Sequence, residues 1–292
     1  MEVDDALELS EALELWPTCP KWWKVASAGY SLHRVKVSLF LVAAVAAFGA
    51  AEAVEPKGTV LAVFAHPDDE RVIGPLLSKL AREGRSVHLA IATDGSKGVR
   101  DYAGIPAGTE LAAARLKEAE CSVQRLRLSR LHMIGMEDGS LGTSMATLAE
   151  LRTRLSAVVS QVGPDMIITF GPEGGTGHPD HRLVGNVVTE IVQADRGHQT
   201  INLFYASLPA ERLRSAPQST PRVSGISEAL LTVRVPVQAE DIAAAHRSFG
   251  CHATQYTTGE MRAINRTLVH VWNGVNYLRP WNGSSISPRE PF

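Results

Sequence analysis

Cysteine is scarce in this 292-residue chain: only Cys19, Cys121 and Cys251 occur, with no CxxC spacing and none inside a cluster of metal-friendly residues. A thiolate-held metal clip has no residues to build it. Cys121 and Cys251, 130 positions apart, read as buried thiols, although an oxidising compartment would permit them to pair. A marked excess of either charge is missing as well, with 31 acids against 29 bases. Residues 1–53 carry 7 of the acids and 4 of the bases, which leaves 24 and 25 in the remainder. Near-neutrality offers no electrostatic footprint for nucleic acid. No internal repeat is visible, and the uncharged stretch Val37–Ala50 falls short of the ~20 residues that span a bilayer comfortably.

That stretch follows Lys21, Lys24, Arg34 and Lys36 and precedes Ala51-Glu52-Ala53. The order is that of a secretory signal, with its basic region, apolar region and small-x-small cleavage site. Residues 1–53 therefore read as a leader, with the signal at about 35–53, and residues 54–292 as a single exported domain without stable membrane insertion after cleavage. The alternative is a domain anchored by an uncleaved apolar run at 37–50.

What is present is apolar material in a regular order. Hydrophobic residues make up 45% of the chain, enough for a sizeable core. Runs rich in β-branched residues recur at Thr59–Phe64, Val87–Ala92, Leu131–Ile134, Met166–Phe170, Ile201–Ala206 and Leu230–Val235. Between them Leu76, Leu77, Leu80 and Ala81 share one helix face, as do Leu111, Ala114, Leu116 and Ala119, and Leu148, Leu151, Leu155 and Val158. Alternating strand and helix predicts an α/β fold, a mostly parallel sheet with helices on both faces. The tail from Asn273 onward, rich in Gly, Ser, Pro and Trp, reads as irregular surface covering.

Two runs carry chemistry: Ala65-His66-Pro67-Asp68-Asp69-Glu70 and Gly177-His178-Pro179-Asp180-His181, each after an expected strand. Ligands of such sheets bind outside the carboxyl ends of the strands. Four glycines in Gly171–Gly177 allow backbone to approach a ligand closely. Acids in the first turn of a helix beginning near Pro67 could simply complement its dipole, and Asp180 could simply cap one. Neither account covers His66 or the His178/His181 pair. His66 and Asp69, three apart, can converge on one cation, which leaves Asp68 beside it and placed to take a proton from water.

These runs resemble the hallmark pair, AHPDDE and HPDH, of the LmbE-like or PIG-L-like zinc-dependent N-acetylglucosaminyl deacetylases. The resemblance extends through Thr93-Asp94-Gly95, Arg115-Leu116-Lys117-Glu118, Met136-Glu137-Asp138-Gly139, Thr169-Phe170-Gly171-Pro172 and His252-Ala253-Thr254-Gln255, roughly residues 58 to 257. It implies a Rossmann-like fold and one Zn2+ on His66, Asp69 and His181. It also implies Asp68 as general base, His178 as the group that stabilises the oxyanion, Asp180 as the residue orienting His178, and Arg115, Asp138 and His252 near the substrate. Thr176 stands where some members have a tyrosine. The implied partner is a small N-acetylated sugar or glycoconjugate.

Two other readings stand beside this one. Two histidines and a carboxylate also describe non-haem Fe(II) oxygenases, but those usually sit on β-sandwiches and have no need of Asp68. A secreted carbohydrate-binding or metal-binding protein without turnover would not need Asp68 and His178 intact. His88, His132, His198, His246 and His270 lack a supporting constellation and read as structural or surface residues.

Overall fold

The computed structural model describes residues 57–194, 201–217 and 223–282. The expected leader lies outside them, as do His198 and residues 283–292. Strand β1 (Thr59–Phe64) leads through a 3-10 turn (Asp69–Ile73) to α1 (Gly74–Arg82) and β2 (Ser86–Thr93). Helix α2 (Thr109–Leu126), β3 (Arg130–Met136), α3 (Met145–Val162) and β4 (Met166–Phe170) follow. A single turn, α4 (Gly174–Gly177), precedes α5 (Pro179–Ala194), β5 (Asn202–Ala206) and the short α6 (Ala210–Arg214). The chain continues through β6 (Val233–Pro236), α7 (Ala239–Phe249), α8 (Thr258–Trp272) and β7 (Val275–Pro280).

These strands form one sheet in the order β3-β2-β1-β4-β5-β7-β6. The first five run parallel, and β7 inserts antiparallel between β5 and β6. Val60, Ala62 and Phe64 point into one core layer under α1, α2, α7 and α8, whereas Leu61 and Val63 point into the other under α3 and α5. All five are fully buried, so β1 is apolar at both parities. Strand order reverses between β1 and β4, and a crevice opens there at the carboxyl ends. Among the described residues no helix is long and apolar enough to cross a membrane.

Three expectations need correction. The stretch after Asn273 is no mere covering, because Val275–Pro280 forms β7 with Tyr277 and Leu278 buried. The helix expected near Pro67 starts later: Asp68 has a left-handed backbone (φ 109°), a 3-10 turn follows, and regular helix begins only at Gly74. Cys121 and Cys251 are not free thiols but form a disulfide, since α2 and the turn after α7 pack with Cα atoms 5.9 Å apart.

Candidate active site

His66 stands just past β1, and His178 and His181 enter from the start of α5, the element following β4. The switch point thus brings both runs into one open cleft of about 760 Å3, to which Arg115, Asp138 and Tyr256 also contribute. α5 reaches β4 closely because residue 185 is glycine. A Cβ there would lie 2.2 Å from the Phe170 carbonyl oxygen.

Three donors converge at the centre. His66 Nδ1 lies 3.0 Å from His181 Nε2, and the Asp69 carboxylate lies 3.3 Å from His181 Nε2 and 3.7 Å from His66 Nδ1. Tetrahedral zinc with bonds of about 2.0–2.1 Å holds its ligands about 3.3 Å apart, so these residues fit a divalent ion. The opposite ring nitrogens face acceptors, as such ligands require, hydrogen-bonded in His181 and at ion-pair distance without an aligned hydrogen bond in His66. His181 Nδ1 faces the Gly174 carbonyl at 2.9 Å, leaving Nε2 for the centre, and the ring stacks on Phe170 at 4.7 Å. His66 Nε2 faces Asp138 at 3.1 Å and Asp180 at 3.4 Å. Donors of His66, His178 and His181, and of His66, Asp138 and Asp180, also lie within 4.8 Å of one another. Asp69 makes the better third ligand, because Asp138 and Asp180 face the other nitrogen of His66 and His178 is exposed at the rim.

Electrostatics follow from that crowding. Burial opposes charge on His66, but hydrogen bonding to Asp138, Asp180 and Asp69 outweighs it and raises its pKa to about 11 with no ion present. Asp69 is held well below the usual carboxylate range: burial works against this, and the charges of His181 and His66 prevail. Asp138 is lowered through His66 despite its burial. His178 is lowered by burial and by the neighbouring His66 and His181, so it is neutral near pH 7. Its Nδ1 accepts the backbone N–H of Asp180 at 3.2 Å, which leaves the ring proton on Nε2. The Asp180 carboxylate turns instead to His66 and to the amide of Gly139 at 2.9 Å. Asp180 thus meets His178 through its backbone N–H.

Asp68 is clamped on every side. Its N–H donates to Glu70 Oε2 at 3.1 Å, its carbonyl accepts from Arg71 at 2.7 Å, and the preceding carbonyl of Pro67 accepts from Arg115 at 2.5 Å. Its carboxylate accepts from the Tyr256 hydroxyl on Oδ2 at 2.5 Å, with Arg71 at 3.1 Å, while Arg115 stands 3.4 Å from Oδ1. Strain at a non-glycine left-handed residue costs about 1–3 kcal/mol and persists only where neighbours enforce it. Here two arginines, Glu70 and Tyr256 do so.

Behind Asp68 lies a buried network. Glu70 Oε1 accepts from Ser122 at 2.5 Å and from His252 at 2.8 Å. Burial disfavours both charges, yet their mutual attraction lowers Glu70 and raises His252, so the two form an ion pair. Ser122 and His252 each directly follow a cysteine of the disulfide. His252, fully buried, does not line the cleft, unlike Arg115 and Asp138. Glu118 faces Thr254 instead of forming a surface pair with Arg115. The sequence reading missed Arg71, Tyr256 and the part of Glu70. Arg71 sits at i+3 from Asp68, a signal that was available, whereas Tyr256 is 188 positions away. Thr176 lines the cleft, and Tyr256 is the phenol that reaches Asp68. His88 and His132 stack on each other across β2 and β3, away from the cleft.

Residues 61–192 match the family described as PIG-L: GlcNAc-PI de-N-acetylase, and the chain carries a PIG-L/LmbE family domain. A 1D-myo-inositol 2-acetamido-2-deoxy-alpha-D-glucopyranoside deacetylase of Corynebacterium glutamicum is 27% identical over 257 residues, 78% of this chain and 86% of the relative. One of the same description from Corynebacterium kroppenstedtii is 31% identical over 163 residues, 47% of this chain and 41% of the relative. A probable N-acetyl-alpha-D-glucosaminyl L-malate deacetylase 2 of Bacillus cereus is 33% identical over 135 residues, 46% of this chain and 60% of the relative. The chain thus spans less than two thirds of the length of the last two. The solved structure of N,N'-diacetylchitobiose deacetylase from Pyrococcus horikoshii has the same fold, with TM-score 0.59, 22% identity, and coverage of 77% of this chain and 84% of that one. So does a 4-carboxy-2-hydroxymuconate hydratase from a Pseudomonas, with TM-score 0.55, 13% identity, and coverage of 77% and 96%. Fold alone therefore does not choose the reaction.

Proposed function

We propose that this chain is a divalent-metal-dependent amide hydrolase, with zinc as the metal, that removes the acetyl group from an N-acetylglucosamine-type sugar or glycoconjugate. The observation that carries the reading is Asp68: a carboxylate held rigidly beside the donors His66, Asp69 and His181 without being one of them. The names of the relatives, all de-N-acetylases, support the substrate class.

His66, Asp69 and His181 hold the cation, which when bound polarises the amide carbonyl and makes water acidic enough to attack at neutral pH. Asp68 takes the proton of the attacking water. Tyr256 at 2.5 Å and Arg71 at 3.1 Å hold its Oδ2, whereas Oδ1 has only the longer contact from Arg115 at 3.4 Å, so Oδ1 is the receiving oxygen. His178, neutral and carrying its proton on Nε2, donates toward the oxygen on which charge develops. Burial and the nearby Asp68 charge push the Tyr256 phenol up, although Arg71 opposes this, so it keeps its proton and orients Asp68 without acting as a base. Carbon–nitrogen cleavage, with the proton taken from water passed on to the departing nitrogen, then leaves a free amine and acetate. Function outside the cytoplasm belongs to the same reading, supported by the order of charges and apolar residues at 34–53 and by the disulfide.

The test is acetate release from a panel of N-acetylated sugars by zinc-loaded full-length protein, with loss on chelation and return on adding zinc. Absence of acetate from every member, at a confirmed one zinc per chain, would overturn it.

A further inference from the structure

The donor trio stands between two hollows of opposite character. The open cleft, about 760 Å3, presents Arg100, Arg115, Asp138, Gln255 and Glu260, groups suited to a hydroxylated sugar. A second hollow of about 80 Å3 runs into the core on the other side of Asp69, walled by Val72, Phe170, Ala206, Leu208, Leu213 and Leu268. Asp69, Arg71, Thr176, Val223 and Ile264 line both, so the two meet at the metal centre. Deep in this hollow Ser207 donates to Glu173 at 3.0 Å and Thr176 contacts His181 at 3.2 Å, while Ser224 stands at its exposed end, so the apolar interior lacks a free polar partner. A hydroxyl entering there would give up water without a free partner, whereas a hydrocarbon would gain contact on all sides.

An acetyl methyl fills little of that space. At about 10–15 Å3 per water-sized position, 80 Å3 accepts about five further heavy atoms. We propose that the preferred acyl group is longer than acetyl, a linear chain of about four to six carbons on the nitrogen of a glucosamine-type sugar. Its carbonyl lies at the trio, its alkyl end lies in the inner hollow, and the sugar lies in the open cleft. The step is the same hydrolysis: the amide C–N bond breaks, a C–O bond forms to the oxygen of water, and a proton passes to the leaving amine. This inference rests on the hydrolase reading above and adds the acyl specificity.

The test is a series of N-acetyl, N-butyryl and N-hexanoyl glucosamine with the zinc-loaded full chain. Burying a methylene is worth about 0.8 kcal/mol, or about fourfold, so kcat/KM should rise roughly 15-fold over the two methylenes from acetyl to butyryl. In Leu268→Phe or Leu208→Phe, which narrow the hollow, the butyryl-to-acetyl ratio should fall toward one. Acetyl cleaved as well as or better than butyryl overturns the acyl assignment and leaves the hydrolase reading standing. No cleavage of any amide counts against the hydrolase reading itself, and calorimetry with acetate, butyrate and hexanoate then decides about the hollow. Tighter binding of the longer acids supports it, and equal or weaker binding overturns it.

Discussion

Asp68 joins an unfavourable backbone to a strongly polar carboxylate environment, and each explains the other. At φ 109° its side chain meets Tyr256 and Arg71 at the cleft. If its work is proton transfer, Asp68→Asn should retain zinc and lose at least ~100-fold in kcat, the usual scale of general acid–base catalysis. Normal turnover in that variant would move the base elsewhere. Tyr256→Phe removes one hydrogen bond to a charged group, worth about 1.5–3 kcal/mol, and leaves the ring in place. Its expected effect is a roughly 10-fold drop in kcat with KM nearly unchanged, because the phenol orients Asp68 and not the sugar. His66→Ala should differ in kind, with zinc per chain by elemental analysis falling from near one to near zero, and equal metal in both proteins would refute the ligand set.

At the scale of elements, the seam between α1 and α7 is what keeps the Asp68 turn in place. The helices approach so closely that a Cβ on Gly74 would lie 2.9 Å from the Ala245 side chain. Across the seam Arg82 donates twice to Asp241, at 3.1 and 3.0 Å, and Asp241 also caps α7 by accepting from the Gln238 N–H at 2.9 Å. Burial alone would raise the Asp241 pKa, but Arg82 and the Gln238 amide lower it. A depressed pKa gives stability that is present above the unfolded value of about 3.9 and is lost as pH falls through the lower folded value. Asp241→Asn should therefore cost roughly 1–3 kcal/mol in urea unfolding at pH 7, with the gap to the parent narrowing below about pH 4. An equal gap at both pH values would show that the charge is idle. Such seams are where sequence reading loses sight of the fold. β1 and β4 are legible because both faces are buried and their runs are continuously apolar. β7 is not, since Asn276 and Arg279 interrupt it and only the fold supplies Glu173 for Arg279. Likewise His66, Asp68 and Asp69 are legible as neighbours in one short run. Tyr256 and the inward turn of His252 depend on packing between segments more than 180 positions apart.

On the scale of the whole molecule, the disulfide joins a loop of 130 residues that contains β3 through α7, so it ties the first part of the sheet's helical cover to the last. In the chain-entropy picture a closure of that length is worth about 4–5 kcal/mol, a value that native strain commonly reduces. Its position adds a functional consequence, because Ser122 and His252, next to the two cysteines, converge on Glu70, and Glu70 holds the amide of Asp68. The double variant Cys121→Ser/Cys251→Ser should accordingly lose about 2–5 kcal/mol in denaturant unfolding, and kcat should fall further than KM rises. A variant that is less stable yet catalytically unchanged would separate the bridge from the Asp68 turn. The same bridge bears on location, since cytosolic thiol pools reduce such pairs while exported proteins keep them. Protein recovered from fractionated cells should start near Val54, lie in the exported soluble fraction, and show neither Cys121 nor Cys251 labelled when alkylated before reduction. A full-length cytosolic chain with both thiols labelled would refute export, and an intact apolar run in the membrane fraction with the bridge formed would instead point to an anchored domain.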